Sequence, residues 1–209
     1  MKFYFLLFLS LTSILVSCNS GSTGDLAYMD SLKKDSSIRS IKLNDSALLL
    51  ISEDSTKFES AILLTERAIQ LDSTNLIAHI NRVNWLCKSK KYAEAFKEIE
   101  ILDKIEPGNS ETIFLYGLLA EKLNKDEIAH KKYKESLQLS NRRLMSLDSD
   151  DKMYQKARVN WASNLYFSDE VEGKKEFKEI NSEYSENKIV LDFLSLSRDE
   201  LLTKFIQNR

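Results

Sequence analysis

Three alanines, Ala61, Ala95 and Ala129, stand 34 residues apart, and the residues around them keep the same spacing. Leu71, Ile105 and Leu139 are one period apart, as are Phe58 and Tyr92, and so are Ala68, Leu102 and Ser136. A fixed period of roughly 20–50 residues marks an array in which each unit buries its apolar face against the next. Around Ala61 and Ala95, apolar side chains return every three or four residues through the runs 58–71 and 92–105, as one face of a helix requires. Five Gly and one Pro in 209 residues are too few for the closely spaced turns of a sandwich or barrel, so the repeating unit is helical.

These residues resemble the tetratricopeptide repeat, whose unit is a pair of antiparallel helices. The pattern of its second helix, a small residue, a larger one four later and another small residue, is matched by Ala129, Tyr133 and Ser136. Looser versions are Ala61, Thr65 and Ala68, and Ala95, Ile99 and Leu102. Pro107 stands where the family has its proline, and Ile113, Tyr116, Gly117 and Ala120 hold the positions of the family's first-helix signature, which no unit carries intact. The resemblance implies an all-α, tetratricopeptide-like helical-repeat array of three to four helix pairs. Its units span about residues 42–75, 76–109 and 110–143, with a degenerate, shifted unit at 152–185. The added length falls around Asn141 to Asp151, read as a prolonged helix and a polar loop. Ser197 and Glu200 form a capping box that opens a last helix over 198–207, with Leu201, Leu202, Phe205 and Ile206 on one face, and that helix is expected to cap the array.

The chain begins with Lys2 and a mostly apolar run, Phe3 to Val16, whose 14 residues fall short of the roughly 20 that span a bilayer as a helix. This is the length of a signal-peptide core. It ends in Leu15, Val16, Ser17 and Cys18, which resembles the lipobox of bacterial lipoproteins. The resemblance implies cleavage after residue 17, a diacylglyceryl group on the Cys18 thiol and acylation of the new amino terminus, and two or more acyl chains hold a protein stably on a membrane. Asn19 is not the aspartate that retains some lipoproteins at the inner membrane, so the expected location is the outer membrane, facing the periplasm. Residues 18–43 read as a lipidated cysteine and tether, Ser/Gly-rich to Gly24 and then, over 25–43, a charged and weakly periodic linker or poorly packed helix, and the helical domain as 44–209.

Reaction chemistry is not legible. His79 and His130 lack a second His or Cys at metal-ligand spacing, no Gly-rich phosphate loop is present, and the carboxylates alternate with lysines as on solvated helix faces. No catalytic residue, metal or cofactor is assigned. A formal charge of -2 with interleaved signs argues against nucleic acid as a partner. If Cys18 is lipidated, Cys87 is the one thiol left, and Trp85 and Trp161 read as core.

The tetratricopeptide resemblance implies that first helices line a concave groove. Its positions here are Ile77, Ile80, Asn84 and Cys87, then Glu111, Phe114, Leu118 and Glu121, followed by Gln155, Arg158, Ala162 and Tyr166 in the shifted unit. The expected role is a non-enzymatic, membrane-anchored module that binds a segment of another envelope protein. A periplasmic immunity or inhibitor protein against a toxin or hydrolase is the alternative, and an enzyme with an unrecognised site stands behind both.

Overall fold

The computed structural model describes residues 23–184 and 187–207, with side chains from residue 27 onward. The expected signal sequence and lipobox, with Cys18, lie outside the described residues. Ten helices and no strand are found among the described residues: α1 (Thr23–Glu53), α2 (Phe58–Leu71), α3 (Leu76–Lys88), α4 (Tyr92–Ile105), α5 (Ser110–Lys122), α6 (Asp126–Met145), α7 (Tyr154–Ser168), α8 (Glu170–Glu183), α9 (Lys188–Ser195) and α10 (Arg198–Gln207). They fall in two units, one ending at Asp35 and one beginning at Ser36. In the first, which holds the opening turns of α1, the Ser31 hydroxyl donates to the Tyr28 carbonyl. The second holds the remaining turns of α1 and all of α2 to α10.

From α2 to α9 each helix packs on its neighbours in sequence, the contact pattern of a tetratricopeptide-like array. The 34-residue alanines lie in the core, with Ala61 and Ala95 fully buried and Ala129 nearly so. Gly117 and Gly173 serve the same end. A Cβ on Gly117 would meet the Tyr133 ring at 2.6 Å, and one on Gly173 would meet the Tyr166 backbone at 2.3 Å. The turns inside the second and third pairs also repeat. Lys90 and Asn124, 34 residues apart, both take positive φ, and the following amides, of Lys91 and Lys125, return to the carbonyls of Leu86 and Ala120 at 2.8 and 2.9 Å. These left-handed caps satisfy carbonyls that a helix end leaves unpaired. Asn75 and Asn109, again one period apart, cap the N-termini of α3 and α5 with their side-chain oxygens.

The helical array reaches further back than the sequence indicates. The stretch 25–43, read as linker or a poorly packed helix, is helical within α1, and from Ser36 it belongs to the array's own unit. Its packing stripe is polar: Ser36 and Ser40 donate to the Leu71 and Ala68 carbonyls of α2 at 2.5 and 2.7 Å, and Asn81 donates to Asn44 at 2.8 Å. Short hydroxyls let the helices approach and bond carbonyls at the C-terminal end of α2, a pattern that a search for apolar periodicity passes over.

The fourth pair differs from the third in one turn. Asp169 alone joins α7 to α8, whereas residues 123–125 join α5 to α6. Accordingly α8 repeats α6 at 44 residues, with Gly173 for Ala129 and Phe177 for Tyr133, but α7 repeats α5 at 46, with Val159, Ala162, Ser163 and Tyr166 buried like Ile113, Tyr116, Gly117 and Ala120. Asp169 makes the short turn possible by capping α8 while its amide closes α7 on the Leu165 carbonyl.

One charged cluster lies inside the second pair. Glu98, on α4, takes hydrogen bonds from His79 Nδ1 and from Arg82 on α3, and the other nitrogen of His79 faces the Ser73 carbonyl at 3.1 Å. His79 and Glu98 are 1% and 4% exposed. Burial pushes the imidazole pKa down, but the bonds to Glu98 and Ser73 outweigh it and raise the value above its ordinary 6.5. Burial pushes Glu98 up, and His79 and Arg82 together bring it below 4.5.

Gly173→Ala should cost about 1–3 kcal/mol in urea unfolding, and more than Gly117→Ala, because backbone rather than a ring stands in the way; equal costs would contradict the close approach. For the cluster, the His79 contribution is complete below its unfolded pKa and lost as pH rises through the raised folded value, while that of Glu98 is lost as pH falls through its lowered one. Thermal unfolding should therefore show wild-type stability declining above neutral pH and His79→Gln lacking that decline, whereas parallel profiles would show that His79 folds uncharged.

Candidate groove site

Alternate helices of the array, α3, α5 and α7, line one side of it, and α10 packs back onto α5 and α3 rather than following α9 as a further pair. It crosses the C-terminal ends of the lining helices. At its start, Arg198 forks onto Glu121 of α5 at 2.8 and 2.9 Å and donates to the Phe167 carbonyl at 3.0 Å, with its guanidinium 4.9 Å from the Phe167 ring. Midway, Lys122 donates to Thr203, and at the far end Gln207 donates to the Tyr92 hydroxyl at 2.9 Å. Glu121 also accepts from the Tyr133 hydroxyl at 2.6 Å; burial, and then the Glu121 charge, raise the phenol's pKa and keep it a donor. The capping box is formed, the Ser197 amide donating to Glu200 at 2.8 Å.

Leu201, Leu202 and Ile206 of α10 are 0%, 3% and 1% exposed. Full burial of such a side chain is worth roughly 1.5–3 kcal/mol, so the three together rival the net stability of a whole domain, about 5–15 kcal/mol. Phe205 adds ring contacts to Phe193 at 5.1 Å and Phe114 at 6.3 Å. On this scale α10 is a fixed wall across the hollow and not a detachable gate.

The wall divides the positions named from the sequence. Cys87, Phe114 and Leu118 are buried, and Glu121 is held by Arg198 and Tyr133. A charge introduced at Phe114 would strike the core before it tested any surface. Ile77 and Glu111 are exposed, and Ile80 and Asn84 half-buried. Ile80, Asn84 and Glu111 meet in one cleft of about 250 Å³ between α3 and α5, which Asn109 and Thr112 help to line. Arg158, Ala162 and Tyr166 are not in the hollow: Arg158 pairs with Glu176 and Glu183 of α8, both at 2.7 Å, and the other two are buried. The two-residue shift of α7 is the cause.

That shift brings Lys156, Asn160, Ser163 and Asn164 of α7 to the hollow instead. They form, with Ser110, Glu111, Phe114 and Phe205, a cleft of about 300 Å³, and it adjoins a shallower one of about 540 Å³ that reaches Arg143 and Met153. The Asn164 amide donates to the Asn160 carbonyl at 2.8 Å, but its Oδ1 is buried without a hydrogen-bond partner. Setting α7 46 residues after α5 finds two of these four, since Asn160 then answers Phe114 and Asn164 answers Leu118. Among the described residues there is no group of three or more His, Cys, Asp or Glu able to hold a metal, and no helix long and apolar enough to cross a membrane. The chemistry of the cleft between α5 and α7 is that of amides, hydroxyls, one carboxylate and one ammonium beside two aromatic rings.

No protein-family model matches the chain, and no curated protein does. Among solved structures, the MamA RS-1 ArsTM double mutant is similar with a TM-score of 0.52 and 14% identity, over 78% of this chain and 86% of that one. YrrB, a TPR protein with an unusual peptide-binding site, gives a TM-score of 0.49 and 16% identity over 87% and 93%. The first likeness is one of fold, and it agrees with the helix-on-helix stacking described above.

The Arg198 fork gives a direct check on the wall. Removing charge-assisted hydrogen bonds of this kind costs roughly 1.5–3 kcal/mol, so Arg198→Ala should lower urea stability by about 2 kcal/mol, and Arg198→Lys should recover less than half because an ammonium cannot reproduce the fork. Unchanged stability in Arg198→Ala would mean that α10 is not held at Glu121.

Proposed function

We propose that this chain is a lipid-anchored, non-catalytic binding module of the bacterial cell envelope, whose open half-hollow takes a segment of another envelope protein. The observation that carries the binding role is the pair of adjoining clefts between α3, α5 and α7, which meet at Glu111 and stay open where α10 leaves off. Their walls combine apolar surface with hydrogen-bonding side chains on rigid helices, the composition of a recognition site for a polypeptide. The envelope location rests on the sequence: Lys2, the apolar run and the box Leu15 to Cys18. An anchor at Cys18 holds the array at the membrane surface through the residues between it and α1.

Full-length protein with Cys18→Ala should leave the membrane fraction for the aqueous one. Affinity capture of the lipidated protein should recover an envelope protein that the Glu111→Arg, Asn160→Arg double variant, folded by circular dichroism, retains at least tenfold less. Recovery of the same proteins in the same amounts by both forms would contradict the groove as the site, and membrane retention of Cys18→Ala would contradict the anchor.

A further inference from the structure

On a surface apart from the clefts, we infer that the outward face of α1 pairs with the same face of a second copy of this chain, the two helices antiparallel, with Ile38 over the partner's Leu49 and Lys42 against the partner's Asp45. A helix at the surface of a domain ordinarily buries its apolar stripe and turns its polar one to water. Over residues 36–51, all within the unit that begins at Ser36, α1 does the reverse. Ser40, Asn44 and Ala47 are buried, Ser40 donating to the Ala68 carbonyl and Asn44 accepting from Asn81, whereas Ile38, Ile41, Leu48 and Leu49 are between 43% and 63% exposed. At 3.6 residues per turn those four fall within about 100° of one another, turned away from the buried stripe, so they make one face. The first helix of a stacked array needs a polar outer surface to stay alone in water, and a continuous apolar one marks a contact site.

Two charges on the same face choose the occupant. Lys42 and Asp45 are both exposed, and among the described residues neither forms an ion pair within the chain. When Ile38 lies opposite the partner's Leu49 in an antiparallel pair, four residues on along one helix and four back along the other bring Lys42 opposite the partner's Asp45. The two-fold axis repeats both contacts, as a self-complementary interface requires. A parallel pair would instead set Asp45 against its own copy. A lipid surface is the other occupant open to an apolar helix face, but Asp45 lies between Ile41 and Leu48 in the middle of this one. Hydrocarbon has no partner for a carboxylate, and a second copy brings an ammonium. A face one helix wide is at the small end of protein interfaces, so the dimer is expected to dissociate on dilution.

The test is sedimentation equilibrium of the full-length protein in a nonionic detergent, where the wild type should show a monomer–dimer equilibrium. Lys42→Glu and Asp45→Lys each turn both attractive contacts into repulsive ones, so each should raise the dissociation constant about tenfold, and the two combined should return it to within about threefold of wild type. The Ile38→Ser, Leu49→Ser double variant should be monomeric with an unchanged circular dichroism spectrum, and the groove variant Glu111→Arg, Asn160→Arg should dimerise as wild type does. The register has a second readout that does not depend on the charge variants. Ile38→Cys and Leu49→Cys copies mixed in one membrane should form a mixed disulfide, which neither forms alone, because equal positions lie eleven residues, or about 16 Å, apart along the pair. If a charge variant fails to fold, the cysteine mixture decides alone. A wild type that is monomeric at every concentration, a dimer indifferent to both charge reversals, or a mixture that yields no more disulfide than its components overturns the inference. So does a monomeric Cys18→Ala form that binds vesicles of anionic phospholipid through Ile38 and Leu49, which would assign the face to lipid. None of these outcomes bears on the groove, whose own variant tests it.

Discussion

Close approach of paired helices at small residues is the constraint on which everything else in this molecule depends. Ala61, Ala95 and Ala129 are buried to within a few per cent, and Gly117 and Gly173 sit where even a methyl group would collide. Interiors are packed at crystal-like density, so the smallest side chain at each crossing fixes how far one helix sits from the next and in what register. The register in turn decides which side chains reach the hollow. A change of two residues in one turn, Asp169 in place of a three-residue link, exchanges Arg158 and Ala162 for Asn160 and Asn164 on the lining face.

The period made the array legible because small residues at a crossing cannot vary freely, and the same economy repeated the caps at Asn75 and Asn109 and the left-handed turns at Lys90 and Asn124. The capping box at Ser197 gave α10 its bounds, Arg198–Gln207, without reference to any tertiary contact. Three features escaped for physical reasons. The array-side packing stripe of α1 runs through Ser36, Ser40 and Asn44 and carries hydrogen bonds where an apolar pattern would be sought. Helix α9 is only eight residues long, although its cap, Asn187, stands two periods and ten residues after Asn109. The seat of α10 was not legible at all, because an amphipathic helix records that it is covered and not by what.

That seat reshapes the hollow. In an open array each lining helix offers its whole inner face. Here Glu121 is bonded to Arg198 of α10, and the aromatic cluster of Phe114, Phe167, Phe193 and Phe205 joins α5, α7, α9 and α10 into one core. The charged groups divide in the same way: Arg198 and Glu121 fasten the wall, and Glu98, His79 and Arg82 fasten α3 to α4. What stays open is a group of mixed clefts that meet at Glu111, near the N-terminal end of α5, one of them bounded by Phe205.

Native-state hydrogen exchange resolved helix by helix is the most direct measurement of whether α10 is part of the fold. If it is the wall described, amides of its central turns, around Leu202 to Ile206, exchange only through the same global opening that exposes α5, with the same free energy and denaturant dependence. Exchange in α10 through a local opening, while α5 stays protected, would show a helix that leaves the hollow on its own and would contradict the account.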